Sequence, residues 1–368
     1  MPCGSFIKIG KLSPAYAQPC DNRLAKAGDR KDAILQTYAI SLVNFAPIVE
    51  ATPDEIRIIV KGNIPPPMEA GGSMAQDILG YIRFNKIQGS AEFTNLRSGL
   101  DEQCLEIGTT TKSDDDRLIG GHGEGLKIAA LVLCRENHHV KISANGYYWN
   151  FGFNGLKSTN FYCRLAPAKG KRVLSGLAAR VREDVSVLVE KGHTDAGRRL
   201  QRADFVEWMS ETLDLHAPSG RVRTLSGDLL LAQIYQGHLY LKGIRVPQAG
   251  QNGQGFYYGY NLLRGNVDRD RQRLVDGQSV AEAVHSIWNS AIIQDQSVAL
   301  PRYIELLRDH SASADAVNAD HFIPEATARK MWAVLICEAR LDDGFYYQKS
   351  CQAEVKIHGL LLSSFIYN

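Results

Sequence analysis

The residues best suited to chemistry lie in a glycine-rich box, Gly120–Gly125, which has four glycines in six residues and runs directly into the apolar segment Leu126–Leu133. That segment predicts a helix. The first-turn N–H groups of a helix have no intrahelical partner, and glycines leave them uncovered, so an anion is their natural occupant. Lys127 adds a positive charge in the first turn. The pattern favours an anion-binding helix start, although a flexible loop before a helix fits the same spacing.

The sequence lacks the local motifs of several other common chemistries. The box differs from the dinucleotide-binding fingerprint because no strand runs directly into its glycines, and from a P-loop because no Gly-Lys-Ser/Thr closes it. No G-x-S-x-G elbow places a nucleophilic serine. No HExxH or EF-hand pattern is present, and His138-His139 is a bare pair. The sequence therefore predicts no metal site.

Two motifs together resemble a known superfamily. Gly108-x-Thr110-x-Lys112, followed by Gly121-x-Gly123-x-Gly125, resembles the ATP lid and second glycine box of the GHKL proteins (gyrase, the heat-shock chaperone, histidine kinases and MutL). The segments Tyr258–Asn261 and 268–273 (DRDRQR) further resemble a group of uncharacterised fungal proteins with a histidine-kinase-like ATPase domain. The likeness spans roughly residues 30–280. It implies an α/β (α+β) sandwich in which helices cover a mixed sheet, followed by a C-terminal α+β or helical extension.

The resemblance fails at the positions that hydrolyse ATP. A working member of the superfamily has a glutamate on its first helix that orients the attacking water, and four residues later an asparagine that holds Mg²⁺. On the helix predicted over 29–43 these positions fall on Thr37 and Ser41, or in a second register on Ile40 and Asn44. Neither register supplies a carboxylate. Since hydrolysis needs a positioned base and a metal clamp, we expect ATPase activity to be lost.

The first glycine box also departs from the superfamily pattern. The family's aspartate, which bonds the adenine amino group, falls on Thr94, with Asn95 beside it and Leu96 at the first glycine. A threonine lacks the charge and reach of a carboxylate. A missing hydrogen bond to a polar ligand edge costs about 1–3 kcal/mol.

These departures favour a pocket converted to another ligand. Hydroxyls and aliphatic groups in place of an acid and an amide suit a small hydrophobic organic molecule better than a magnesium triphosphate. The hypothesis extends to a metal-free, cofactor-independent cyclisation or rearrangement in fungal secondary metabolism, which needs a shaped cavity and one or two hydrogen-bond donors. The candidate catalytic residues are Thr37, Ser41, Lys112 and His122, and the candidate ligand-binding residues are Asn44, Thr94, Asn95, Thr110, Gly121, Gly123, Gly125 and Lys127.

Two alternatives stay open. In the first, the chain is a nucleotide-binding pseudo-ATPase or chaperone-like regulator, and the glycine box with Lys127 still cradles the phosphates of ATP, with or without Mg²⁺. In the second, it is a protein-interaction module whose pocket is vestigial. The sequence does not decide whether any reaction is catalysed.

Periodicity predicts the elements that position these residues. The predicted helices are 29–43, 74–84, 126–133, 280–293, 303–309 and 326–338. The predicted strands are 55–60, 91–95, 140–144, 147–153, 161–165, 185–190, 238–242 and 244–246. Asn145-Gly146 predicts a tight hairpin turn, and the Ser-, Ala- and Asp-rich segment 309–320 predicts an exposed linker.

The bulk composition places the chain among ordinary globular proteins. It has 368 residues, of which 44% are apolar and 22% charged, and this length allows two domains. The predicted divisions are an N-terminal arm (1–28), a GHKL-like domain (29–165), a second strand-rich region (166–275) and a helical C-terminal region (276–368).

Charge and cysteine usage limit the partners and the compartment. A net charge of +2 gives no electrostatic case for nucleic acid or an acidic membrane, and no apolar run approaches the length of a membrane span. The seven cysteines are scattered outside any metal-binding spacing, which favours free thiols and a cytoplasmic location. The oligomeric state is not indicated.

Overall fold

The chain folds into two compact units. Unit 1 comprises Met1–Pro218, Tyr240–Gln248 and Asn266–Val275, and unit 2 comprises Ser219–Leu239, Ala249–Gly265 and Asp276–Asn368. The computed structural model describes residues 6–8, 46–63, 76–100, 102–105, 125–154, 160–168, 184–215, 218–247, 254–265, 274 and 276–341. The predicted helix 29–43 and the segment 268–273 lie outside these residues.

Unit 1 is built on a nine-stranded sheet. Its strands are β1 (Phe6–Lys8), β2 (Ala46–Ala51), β3 (Glu55–Asn63), β4 (Gln76–Asn85), β5 (Ser90–Asn95), β6 (His138–Ala144), β7 (Tyr147–Asn154), β8 (Asn160–Pro167) and β9 (Val185–Lys191). Their order across the sheet is β1-β8-β7-β6-β9-β5-β4-β3-β2. Every pairing between these described strands is antiparallel. Among the strands that the structure describes, the pairing thus differs from the predicted mixed sheet, while the broader expectation of a chain combining helices with large sheets is confirmed.

The prediction of a helix over 74–84 was also wrong, since Gln76–Asn85 form strand β4. Its side chains alternate: Ile82 and Phe84 lie in the apolar core, while Tyr81 and Arg83 point to the other face. Strand β4 pairs with β3 on one side and β5 on the other. Backbone pairing on both sides outweighs the local helical preference of the segment.

Other predicted strands of unit 1 are confirmed. Strand β5 covers 91–95, and β6 and β7 are joined through Asn145-Gly146 with φ angles of 48° and 83°. Two consecutive positive φ angles are typical of the tight turn that this dipeptide favours. The hairpin closes with Ala144 opposite Tyr147.

One face of this sheet carries the apolar core, on which two helices pack. Helix α1 (Gly125–Arg135) contributes Ala130, Leu131 and Leu133, and helix α2 (Arg202–Ser210) contributes Phe205, Trp208 and Met209. The Phe84 and Phe205 rings stack at 4.7 Å. The predicted helix 126–133 is confirmed.

A short hairpin of β12 (Leu239–Leu241) and β13 (Ile244–Val246) also matches its prediction.

In its described residues, unit 2 combines short strands with four helices. Strands β10 (Arg221–Arg223), β11 (Gly227–Leu230) and β14 (Gly259–Leu262) pair antiparallel in that order. The helices are α3 (Gly277–Gln294), α4 (Gln296–Asp309), α5 (Ala319–Phe322) and α6 (Glu325–Leu341). Asp276 caps α3 by accepting from the Gln278 N–H at 3.0 Å, and Asp295 caps α4 through the Val298 N–H at 3.2 Å. The three predicted C-terminal helices are confirmed with longer bounds.

The segment predicted as an exposed linker (309–320) holds the polar centre of unit 2, so that prediction was wrong. Asp315 is fully buried. Its carboxylate accepts from the backbone N–H groups of Tyr257 and Tyr258 at 3.0 Å each, and from the Tyr260 hydroxyl at 2.8 Å. The Trp288 indole donates to the Tyr260 oxygen at 2.8 Å. A buried carboxylate is tolerated here because its hydrogen-bonding capacity is met by these donors.

Among the helices that the structure describes, none combines the length and the apolar character needed to cross a bilayer.

We expect Tyr260→Phe to destabilise the protein by about 1–3 kcal/mol, because the substitution leaves the Trp288 N–H and the Asp315 carboxylate without the hydroxyl that joins them. Urea unfolding followed by circular dichroism measures the loss. The matched control is Tyr257→Phe, whose hydroxyl takes no part in this network and whose cost should stay within about 0.5 kcal/mol. Equal stability of the two variants would contradict the role given to Tyr260.

Candidate functional site

The glycine box ends where helix α1 begins. The helix starts at Gly125 and runs for 11 residues without an acidic residue in its first turn. Its first N–H groups therefore keep their attraction for an anion. Most of the predicted site lies outside the described residues, namely Thr37, Ser41, Asn44, Thr110, Lys112, Gly121, His122 and Gly123. Their assignments stay predictions.

Lys127 does not face the solvent, as a lysine that binds a phosphate would. Its side chain is buried, with 6% of the residue exposed, and its ammonium donates to the carbonyl of Cys104 at 2.8 Å. Cys104 belongs to a one-turn 3-10 helix, Glu102–Leu105. The ammonium thus ties the first turn of α1 to the segment that precedes the glycine box in sequence. Its predicted contact with a ligand stays untested.

Thr94, which the resemblance assigns to the superfamily's aspartate position, lies in a buried chain of hydroxyls. It is fully buried, and its hydroxyl donates to the Ser186 hydroxyl at 2.9 Å. Ser186 donates in turn to Glu92 Oε1 at 2.9 Å. Asn95, the next predicted residue, is 9% exposed at the end of β5. The structure therefore brings Thr94 together with two residues that the sequence analysis did not name.

Glu92 is the charged centre of this group, which we call the polar row (Tyr81, Arg83, Glu92, Thr94 and Ser186). The Arg83 guanidinium pairs with Glu92 Oε2 at 2.5 Å, and the Tyr81 hydroxyl donates to Glu92 Oε1 at 3.3 Å. Burial raises the pKa of the Tyr81 phenol to about 12, and the negative charge of Glu92 adds to the rise. Tyr81 is therefore a protonated hydrogen-bond donor at all ordinary pH values.

The polar row lies on the sheet face opposite the apolar core. Tyr81 pairs with Thr94, and Thr94 pairs with Ser186, so the three hydroxyls cross β4, β5 and β9 side by side. Their neighbours Ile82, Phe93 and Val187 fill the core on the other face. The sequence signal that could have found the row is the alternation Glu92–Phe93–Thr94, in which polar residues flank a core residue.

The end of β5 is fixed by a tight turn. Arg97 has a φ of +52°, and its N–H donates to the carboxylate of Asp184 at 2.8 Å. Asp184 is buried and immediately precedes β9. The left-handed conformation of a non-glycine residue is compensated by this hydrogen bond. The turn holds the region of Leu96, where the superfamily pattern has its first glycine.

The polar row is poorly suited to nucleophilic attack. Its carboxylate is neutralised by Arg83, and its hydroxyls are joined to one another. Burial also raises the pKa values of the Cys134 and Cys163 thiols to about 12, so neither is a ready nucleophile. Within the described ranges, no three His, Cys, Asp or Glu side chains are grouped closely enough to hold a metal ion.

We expect Lys127→Met to lower the free energy of unfolding by about 1–3 kcal/mol in the absence of any ligand, because it removes the donor to the Cys104 carbonyl. Lys141→Met is the control: the Lys141 ammonium lies 4.2 Å from the centre of the Tyr148 ring, and its loss should cost less than about 1 kcal/mol. Chemical denaturation compares the two. If Lys127→Met is as stable as the wild type, the ammonium has no structural role.

Tyr81 should make stability depend on alkaline pH. Its folded-state pKa of about 12 exceeds its ordinary value of 10.0, so the stability gained from the neutral phenol is complete below pH 10.0 and is lost as pH rises through about 12. The urea midpoint of the wild type should therefore fall more steeply over this range than that of Tyr81→Phe. Tyr147→Phe, at an exposed position, should retain the wild-type slope. Parallel curves for all three proteins would refute the assignment.

No protein-family profile matches the chain, and no curated protein matches it. Among solved structures, the B subunit of the DNA gyrase from Myxococcus xanthus is similar over 62% of this chain and 84% of that chain, with 12% sequence identity and a TM-score of 0.24. A similarity at this level carries no argument about architecture or function.

Proposed function

We propose that unit 1 is a GHKL-like domain whose pocket binds a small, mainly apolar organic molecule in place of a magnesium nucleotide. The motifs supporting the family assignment are the G-x-T-x-K segment and the glycine box. The box leads into α1, which begins at Gly125. The antiparallel sheet departs from the mixed sheet that the resemblance implies. The assignment therefore rests on the motifs and not on the strand pairing.

The position of Lys127 is the observation that carries the ligand proposal. A triphosphate brings several negative charges, and its binding needs cations presented at the helix start. The ammonium of Lys127 is buried and donates to a backbone carbonyl of the protein. Its capacity to compensate a phosphate is reduced accordingly. A neutral ligand makes no such demand.

The polar row supports the same proposal. Thr94 contributes a hydroxyl joined to Ser186 where the superfamily pattern has a carboxylate for the adenine amino group. The first-helix positions, Thr37 and Ser41 or Ile40 and Asn44, offer no acid in either register. Without a positioned base and a bound metal ion, such a pocket does not catalyse ATP hydrolysis. An uncharged ligand with one or two hydrogen-bonding groups suits what remains.

The proposal extends to catalysis by the same pocket. A cofactor-independent cyclisation or rearrangement needs a cavity that holds a reactive conformer and a donor that polarises a carbonyl. Thr37, Ser41, Lys112 and His122 keep their predicted catalytic roles, and the fungal and cytoplasmic setting is likewise a prediction of the sequence.

Nucleotide binding without hydrolysis is the second candidate, because α1 starts at the last residue of the glycine box. In that case the N–H groups of its first turn would receive a phosphate.

Calorimetric titration separates the two candidates. We expect no saturable heat on adding ATP or ADP, with or without Mg²⁺, which corresponds to a Kd weaker than about 1 mM. Native mass spectrometry of the freshly purified chain should show an added mass of a small organic molecule, which is released by organic solvent. The Gly123→Val variant, which blocks the glycine box, serves as the control for nucleotide.

Micromolar binding of ATP that Gly123→Val abolishes would establish the nucleotide candidate and contradict the proposal. The protein should be produced in a host whose extracts contain small organic molecules of the ligand's class. If it then shows neither nucleotide binding nor a co-purifying molecule, ligand binding by unit 1 is contradicted.

A further inference from the structure

Unit 2 contains a cavity that the proposed function of unit 1 does not use. Its volume is about 240 Å³, and it lies between the end of β11, the one-turn 3-10 helix Gln233–Tyr235, the segment before β14 and helix α4. This volume is smaller than the roughly 300–1,000 Å³ of pockets for drug-sized ligands. It suits a single ring with a short substituent. The lining residues that matter to the argument are Leu230, Gln233, Gln236, Tyr257, Tyr258 and Arg302.

The aromatic wall of the cavity is held rigidly. The backbone N–H groups of Tyr257 and Tyr258 are both bound by the buried carboxylate of Asp315. The Tyr257 ring stacks on His310 with the ring centres 3.6 Å apart, and the Tyr258 ring meets Trp288 edge-on at 5.2 Å. Such a preformed wall costs a ligand little ordering entropy. Two adjacent aromatic residues present apolar surface that a planar ring can contact.

Arg302 is the charged residue that lines the cavity. It lies on α4, and one of its terminal nitrogens, Nη1, donates to the Val298 carbonyl at 3.0 Å, which fixes the guanidinium along the helix. A guanidinium has five N–H donors in a planar fork that matches a carboxylate. The amide groups of Gln233 and Gln236 add further donors to the lining. The lining therefore combines a positive charge, amide donors and an aromatic wall.

Nearby carboxylates limit the charge of the ligand. Glu305 lies one turn after Arg302 on α4, and its charge and that of Asp315 both act on Tyr258. Burial is the main cause that raises the pKa of Tyr258 to about 12, so its hydroxyl is protonated at neutral pH. Two negative groups near the cavity disfavour a dianionic phosphate more than a singly charged group. A monoanion fits the balance of charges best.

We propose that this cavity binds a small planar monocarboxylate, with its ring against Tyr257 and Tyr258 and its carboxylate on the guanidinium of Arg302. The site is independent of the ligand proposed for unit 1. It requires a charged group that the unit 1 pocket does not, so the two proposals can fail separately.

The test is a titration of the full chain with benzoate, followed by calorimetry or by ligand-observed NMR. We expect saturable binding with a Kd on the order of 1 mM or tighter, as suits so small a ligand. Benzamide, which has the same ring without the charge, should bind at least tenfold more weakly. Arg302→Gln should weaken benzoate at least tenfold and leave the thermal unfolding midpoint unchanged, because Arg302 lies at the surface of α4.

The matched control is Arg308→Gln on the same helix, where the native guanidinium pairs with Glu338 outside the cavity. This variant should bind benzoate like the wild type. The proposal is overturned if benzoate fails to saturate the protein, if benzamide binds equally well, or if Arg302→Gln and Arg308→Gln have the same effect. None of these outcomes bears on the titration of unit 1 with nucleotides.

Discussion

The pairing of strand β5 between β4 and β9 is the constraint on which the rest of unit 1 depends, because it decides what each face of the sheet carries. In the observed register, Phe93 lies between Ile82 and Val187, while Thr94 lies between Tyr81 and Ser186. A shift of one residue would place Thr94 in the apolar core and Phe93 among hydroxyls. The shifted register is therefore unfavourable on both faces of the sheet. The apolar face would lose buried apolar surface, and the polar face would contain buried polar groups without partners. The position of the candidate site is fixed by the same forces that fix the fold.

In unit 2 a single carboxylate performs an equivalent task. Asp315 binds two consecutive backbone N–H groups and the Tyr260 hydroxyl, which in turn accepts from Trp288. The Tyr257 and Tyr258 N–H groups, which lie just before β14, are satisfied by this carboxylate. The aromatic wall of the cavity is consequently held by a residue that does not line it. Stability and ligand positioning are coupled through this one side chain.

The sequence was informative wherever the decisive interactions are local. Asn145-Gly146 determines its hairpin through the φ angles of two residues, and α1 begins at the end of its glycine box, as the composition predicts. The sequence was misleading where the interacting residues are far apart along the chain. Strand β4 has a composition compatible with a helix, and only its two neighbouring strands make it extended. The polar row escaped notice for the same reason, because Ser186 lies 92 residues from Thr94 and 94 from Glu92.

The buried aspartate shows why composition alone misjudges exposure. Small and polar residues around Asp315 are typical of a solvated linker, yet this carboxylate is fully buried because donors 55 to 58 residues earlier satisfy it. The same comparison of charge with partner distinguishes the two units chemically. In unit 1 two charged groups have partners within the protein: Glu92 pairs with Arg83, and the Lys127 ammonium donates to the Cys104 carbonyl. In unit 2 Arg302 lines a cavity, while the charges of Glu305 and Asp315 act on Tyr258 in its wall. An uncharged ligand suits the first arrangement, because the Lys127 ammonium already donates to a carbonyl of the protein, and an anion suits the second, because it can pair with the exposed Arg302.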